Sequence, residues 1–240
     1  MDSSDHEIRS RGSRNDPPNA RGPSAIRPSL VSVPDTRLAR LVWIDLEMTG
    51  LDPAREQIVE IAAVVTDAEL EELDSGVSFV VRPDDLTILE GMDEVVVRMH
   101  TESGLLTDIP NGITLAEAGD QVLAYIRGHV PEPGRAPLAG SSVYVDRGFI
   151  ARYLPALDTH LHYRLVDVST IKELARRWYP RAYFNSPAKS GGHRALADIR
   201  ESIAELRYYR DTLFVSQPGP TSEEARTAAT SHVIDHTQPA

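Results

Sequence analysis

Cysteine is absent from the 240 residues. That removes disulfides and thiolate metal sites and leaves Asp, Glu and His as the available metal ligands. Apolar runs of about 18 residues are also missing, so no transmembrane helix is expected. The N-terminus lacks the basic-then-apolar layout of a signal peptide, and the expected location is the cytoplasm. Positive charge is scarce: 25 Lys and Arg stand against 36 Asp and Glu, a formal net charge of −11. Such a chain is poorly suited to gripping long nucleic acid along its phosphates, and no long duplex partner is expected. A substrate only a few nucleotides long needs few phosphate contacts, and bound metal can offset an acidic site. The charge therefore bears on substrate length and leaves nucleic acid open as a partner.

What is present describes a soluble globular protein. Hydrophobic residues make up 41% and charged residues 25% of the chain, and the length suits one full domain. Residues 1–38 are rich in Ser, Pro, Arg, Asp and Gly and read as a disordered arm, and residues 215–240 read as a disordered tail. Six arginines against five acids in the arm, and one arginine against three acids in the tail, leave the acidity in the domain spanning 39–214.

Within that domain, three strand-like runs at 40–47, 58–66 and 76–82 are joined by short polar turns and predict an antiparallel meander. A helical region near 92–100 comes next. The stripe Leu115, Ala118, Val122 and Ile126 predicts a helix over 114–127, with Thr114 and Glu117 as a capping box. Beyond a Pro-rich loop at 131–137 the pattern alternates: a strand near 138–141, a helix at 146–154, a strand at 165–168, a helix at 169–178 and a last helix over 194–213. Strands first, then strands alternating with helices, imply an α/β fold with a mixed sheet under packed helices.

The most informative segment is Leu-Val-Trp-Ile-Asp-Leu-Glu-Met-Thr-Gly at 41–50. It sets Asp45 and Glu47 inside a run that otherwise reads as a buried strand, and residues two apart share a face. Two unpaired carboxylates on one buried face cost several kcal/mol, about 2–7 for even a neutral polar group, unless a cation meets them. A divalent ion satisfies that demand, and the oxygen-rich ligand supply suits Mg²⁺ or Mn²⁺. The plainer alternative is that the strand ends at Ile44 and both acids are solvated or face an arginine.

Asp146, near a helix start, and Asp198, at the edge of the stripe Leu196, Ile199, Ile203 and Leu206, are further candidate ligands. Asp146 alone is also explained by the helix dipole, and Asp198 alone by solvent. His193 follows Gly191-Gly192, which give its loop conformational freedom. Its ordinary pKa, about 6.5, suits a general base. Five residues along a helix turn the side chain about 140°, so His193 and Asp198 can share a site only if His193 projects from the loop or first turn.

Together Asp45-x-Glu47, Asp146 and His193-x4-Asp198 resemble the DEDD exonucleases of the histidine subgroup. The runs Trp43–Pro53, Asp167–Trp178 and His193–Ser202 resemble the oligoribonuclease family more narrowly, and the resemblance spans about residues 39–213. It implies an RNase H-like fold, with a five-stranded sheet of one antiparallel three-strand meander plus two parallel strands. The implied activity is 3′-to-5′ exoribonuclease cleavage of short single-stranded RNA, above all dinucleotides, to nucleoside 5′-monophosphates at the end of RNA decay. Asp45, Glu47, Asp146 and Asp198 would hold two divalent ions about 4 Å apart, and His193 would deprotonate water.

The same resemblance implies that Leu51 wedges beside the bases and that His100 contacts the substrate 3′ end. Ser142, Arg164, Ser169 and Thr170 would cap the 5′ end, and Tyr163 would reach into the site of a second subunit, making the active unit a homodimer. Plainer roles stand beside these: Leu51 as a turn residue, Ser169 and Thr170 as helix caps, Arg164 as a partner of Asp167, Tyr163 as a half-buried aromatic. The chain departs from the family at Val95, where Trp is common, and at Ser141, where Asn is common; both bear on affinity and base preference. A DEDD exonuclease for longer ends would favour a basic track, which this acidic domain lacks. A non-catalytic binding module would not need all five residues, and a structural Ca²⁺ site leaves His193 unexplained.

Overall fold

A computed structural model describes residues 39–189 and 191–232; the expected arm at 1–38 lies outside the described residues. Strands β1 (Leu41–Met48), β2 (Ile58–Thr66) and β3 (Val77–Val80) form an antiparallel meander. Strands β4 (Pro137–Gly140) and β5 (His162–Asp167) continue the sheet in parallel from the other side of β1, in the order β3-β2-β1-β4-β5. This is the mixed five-stranded sheet expected from the pattern of runs. The helices are α1 (Glu94–Glu102), α2 (Leu105–Asp108), α3 (Leu115–His129), α4 (Tyr144–Tyr153), α5 (Pro155–His160), α6 (Val168–Trp178), α7 (Pro180–Phe184), α8 (Ala195–Leu213) and α9 (Ser222–Thr230).

Side-chain alternation on β1 decides the layout. Val42, Ile44 and Leu46 point to one face and pack with Ala118, Val122 and Ile126 of α3 and Phe149 and Ile150 of α4. Trp43 points to the other, among Ala62 and Val64 of β2, Val168 and Ala175 of α6, and Ala195, Ile199, Ile203 and Tyr209 of α8. Asp45 and Glu47 continue the Trp43 face toward the strand end, so the acids lie under the α8 layer. Every residue of β2 is buried, which explains its nearly unbroken apolar run and makes the single acid within it, Glu60, conspicuous. Pairing of Glu47 with Glu60 and of Met48 with Ile58 leaves Val59 as the extra residue of a β-bulge beside the acids.

The expected capping box is present at α3, where Thr114 Oγ1 accepts from the Glu117 N–H at 3.2 Å and Glu117 Oε2 accepts from the Thr114 N–H at 2.9 Å. The sequence pattern missed α2, α5, α7 and the 3-10 turns Leu86–Gly91 and Ile109–Asn111, all too short for a helical apolar period to repeat. The tail expectation needs correction over Ser222–Thr230, which is α9. Thr221 and Glu224 form a second capping box there, and the Ala-containing run has good helix propensity, while all its residues remain exposed. Among the described residues no helix is long and apolar enough to cross a membrane.

Trp43 is fully buried, and its indole Nε1–H donates to Thr66 Oγ1 at 3.0 Å. Trp43→Phe keeps a ring in the α8-side core but orphans the Thr66 hydroxyl, itself fully buried. The expected loss is about 1–3 kcal/mol, read from a lowered urea midpoint at unchanged m-value.

Candidate active site

The site forms where β1 outruns its parallel neighbour. Strand β4 pairs with β1 only opposite Val42 and Trp43 and ends at Gly140, so the later part of β1 meets α4 instead. The Leu46 N–H, left without a β4 partner, donates to Asp146 Oδ1 at 3.0 Å. A carboxylate in the first turn of α4 is thereby bound to the backbone between Asp45 and Glu47. Asp198 approaches from the first turn of α8, a helix anchored on the same face by Ala195, Ile199 and Ile203.

His193 precedes α8 and is not on it. Its φ of +45° and that of Gly191, +66°, turn the chain sharply before the helix begins at Ala195, which removes the 140° conflict with Asp198. The result is a tight group: one ligand atom each from Glu47, His193 and Asp198 lie within 4.8 Å of one another. The segment carrying His193 is tied on both sides. Before it, Lys189 Nζ lies 3.1 Å from Glu205 Oε2, whose carboxylate also meets Lys172 Nζ at 3.0 Å. After it, Arg194 pairs with Glu60 and Asp108.

The electrostatics of the site favour a positive partner. Burial, then the charges of Asp146, Asp198 and Glu47, pushes the Asp45 carboxyl well above its ordinary range. Burial, then Asp198, Glu60 and Asp146, lifts Glu47 to about 8. Asp146 rises to about 7, chiefly through burial, although hydrogen bonds from its own N–H and that of Leu46 work against the rise. Asp198 is raised by burial and Glu201 and lowered by His193 and Lys189. Four acids that cannot all ionise together, presenting oxygens beside one histidine, fit hard divalent cations such as Mg²⁺ or Mn²⁺.

The remaining candidates fall into two places. Asp167, at the start of α6, accepts from the Ser142 N–H and the Ser169 N–H at 2.9 Å each, and the Ser142 and Ser169 hydroxyls meet at 3.0 Å. Ser142 takes a φ of +55° to reach this position, and Thr170 follows Ser169 in the same first turn. Asp167 is thus the helix cap, and Arg164 lies over the Tyr163 ring at 5.4 Å. Tyr163 is 75% exposed and stacks on His162, which excludes the reading as a half-buried aromatic. Leu51 is also 75% exposed, just past the end of β1.

His100 is fully buried, and its Nε2 lies 2.9 Å from the Met48 carbonyl, which can only accept, so Nε2 carries the proton. Its Nδ1, without a hydrogen-bond partner, lies 3.8 Å from Glu47 Oε2. Of the two departures, Val95 is exposed in the first turn of α1, and Ser141 bonds Ser202 of α8 at 3.0 Å. Sequence reasoning missed Glu60, Arg194 and the joining role of Asp167. The signal for Glu60 was available: an acid in a fully apolar strand, the same feature that marked Asp45 and Glu47.

Because raised carboxyl pKa values mean that the metal-free folded state holds protons the unfolded state has lost, its stability should fall as pH rises from about 4.5 through 8. Thermal scans of metal-free protein should show a declining Tm across that window. Added Mg²⁺ or Mn²⁺ should restore it, and Asp45→Asn should exceed wild type in Tm at pH 8 without metal. A flat profile would contradict the crowding of these acids.

Residues 42–206 match the RNase_T exonuclease family model. An oligoribonuclease of Streptomyces avermitilis is 66% identical over 81% of this chain and 97% of its own length. Those of Leifsonia xyli and Mycobacterium avium are 57% and 56% identical, over 81% and 79% of this chain and 93% and 88% of their own lengths. Among solved structures, a zinc-bound E. coli exonuclease I complex with single-stranded DNA superposes with a TM-score of 0.56 at 17% identity, covering 73% of this chain and 41% of that one. Exonuclease I of Methylocaldum szegediense gives 0.52 at 21% identity, over 73% of this chain and 41% of its own. At that identity the likeness speaks for the fold, while the sequence relatives and the family model establish kinship: the chain belongs to the oligoribonuclease family of exonucleases.

Proposed function

We propose that this enzyme is a 3′-to-5′ exoribonuclease whose preferred substrates are very short single-stranded RNAs, above all dinucleotides, which it hydrolyses to nucleoside 5′-monophosphates. The observation that carries the reading is the convergence of Asp45, Glu47, Asp146 and Asp198 with His193 at the end of β1, held by three different elements and a loop. Two divalent ions, Mg²⁺ or Mn²⁺, bound by the four carboxylates would polarise the scissile phosphate and make water acidic near neutral pH.

Around that centre the chain's own groups divide the remaining work. His193, on its left-handed turn within reach of Glu47 and Asp198, takes the proton from the attacking water. His100 presents a bare acceptor at Nδ1 toward Glu47 Oε2, which can only accept once a cation holds it ionised, and a ribose hydroxyl at the substrate 3′ end would supply the donor that this pair then lacks. Leu51 offers apolar surface beside the bases. The Ser142 and Ser169 hydroxyls, Thr170 and the start of the 11-residue α6 form a polar wall that, with Arg164, suits the 5′ end. A wall on that side and the net negative charge of the chain favour a substrate that ends after two nucleotides.

Tyr163, 75% exposed, is free to reach the site of a second copy, the role that the family resemblance implies for it in a homodimer. The absence of a membrane-crossing helix among the described residues and the soluble composition agree with work in the cytoplasm.

Cleavage of 5′-labelled RNAs of two, three, five and ten nucleotides tests the reading. The dinucleotide should be consumed fastest, only with divalent metal, and Asp198→Ala should lose at least about 10³-fold while remaining folded. Equal or faster attack on the ten-mer would point to a general exonuclease, and metal-independent cleavage would remove the assigned ligands. Separately, Tyr163→Ala should lower dinucleotide turnover while leaving Mn²⁺ affinity unchanged; wild-type turnover in that variant would exclude the role across a dimer.

A further inference from the structure

Glu60 stands directly opposite Glu47 in the β1–β2 register, on the same α8-facing side, yet the two carboxylates have different surroundings. Glu47 keeps its oxygens for the cation site. Those of Glu60 are taken by protein donors: Oε1 accepts from Ser78 Oγ at 3.0 Å and Arg194 Nη2 at 3.2 Å, while Oε2 accepts from Arg194 Nε at 3.2 Å and the Ala195 N–H at 3.3 Å. A carboxylate offers about four lone-pair directions, so these four donors leave Glu60 no vacancy for a metal. It is only 1% exposed.

The identity of the donors gives Glu60 its work. Ala195 is the first residue of α8, whose preceding residue, Arg194, makes no side-chain cap of its own; Glu60 supplies the missing acceptor from another strand. Arg194 is fixed by the two-pronged contact with Glu60, and its Nη1 also reaches Asp108 Oδ2 at 3.2 Å at the end of α2. His193 is bonded to this clamped residue and holds a left-handed backbone that costs an L-residue roughly 1–2 kcal/mol. A strained turn beside a glycine stays in one conformation only if its neighbours hold it there.

We propose that Glu60 is a positioning residue for the hydrolysis: through Arg194 and the first N–H of α8 it holds the turn that aims His193 at the attacking water. The proposal rests on the general-base role of His193 given above. Asp198 is also held by the packing of Ile199 and Ile203, so the clamp acts chiefly on the position of the base, while the Glu60 charge adds to the repulsion felt by Glu47.

The test compares Glu60→Gln and Arg194→Gln with wild type, alone and with His193→Ala, on a dinucleotide at saturating Mn²⁺. Each single variant should lose about 10- to 100-fold in kcat with KM within about threefold and Mn²⁺ still bound, because an aimed base contributes roughly 10²–10⁴-fold. On the His193→Ala background neither substitution should cost more than about twofold, since the clamp acts through that histidine. Undiminished kcat, losses that multiply fully with His193→Ala, or abolished Mn²⁺ binding would each overturn the proposal, the last by making Glu60 a ligand.

Arg194 has a 36% exposed side chain, so Arg194→Gln carries the test should Glu60→Gln fail to fold. A readout independent of turnover is the His193 ring resonance in NMR. It should move in both variants while those of His129 and His160, bonded elsewhere to Asp74 and the Val130 carbonyl, stay. An unmoved His193 signal sinks the clamp even if wild type cleaves no dinucleotide, an outcome that would separately sink the proposed activity.

Discussion

Mutual repulsion among Asp45, Glu47, Asp146 and Asp198 is the constraint on which the rest of this structure depends. Burial raises the proton affinity of each acid, and the neighbouring charges raise that of Asp45 and Glu47 further, so without a cation the cluster is held together against its own electrostatics. The apolar layers supply the restraint. Alternation along β1 sends Val42, Ile44 and Leu46 into the α3–α4 side and Trp43 into the α8 side, and that double anchoring keeps the strand end from relaxing away from α8. A bulge at Val59 and the early end of β4 then expose one stretch of β1 to α4 and α8 together.

A second set of buried acids is handled in the opposite manner. Glu60 and Glu205 are more buried than the cluster acids, yet each is met by cations of the protein: Arg194 for Glu60, and Lys172 with Lys189 for Glu205. Removing one partner of such a pair strands a buried charge. Lys189 and Arg194 lie on either side of His193 along the chain, so the acidic domain spends part of its scarce positive charge on holding the segment that carries this histidine. Buried carboxylates thus stand in two settings here, met by cations of the protein or crowded against one another.

Much of this was legible in the residues. Strands β1, β2 and β3, helices α3, α6 and α8, and the Thr114 capping box all follow from apolar period and turn residues, because each is long enough to repeat its pattern. Asp45 and Glu47 were conspicuous as acids in an apolar strand. Short helices such as α2 and α5 were not legible, since a single turn shows no period, and α9 was hidden by a polar composition that local capping and alanine overcome. Glu60 carried the same signal as Asp45. Its meaning depended on Arg194, 134 residues away, and no local pattern links the two.

The sequence by itself determined the chemistry available: a cysteine-free set of acids, a histidine after two glycines, and long family-like runs that carry most of them. Strand alternation also determined that Asp45 and Glu47 share a face, because a two-residue period is a property of the extended backbone. Only the tertiary structure decided that Asp146 binds the Leu46 N–H, that His193 stands in a left-handed turn ahead of α8, and that Asp167 gathers Ser142 and Ser169. The reason is physical: these are single hydrogen bonds and backbone turns between distant segments, set by where packed layers bring chain ends together, and they leave no periodic trace in the order of residues.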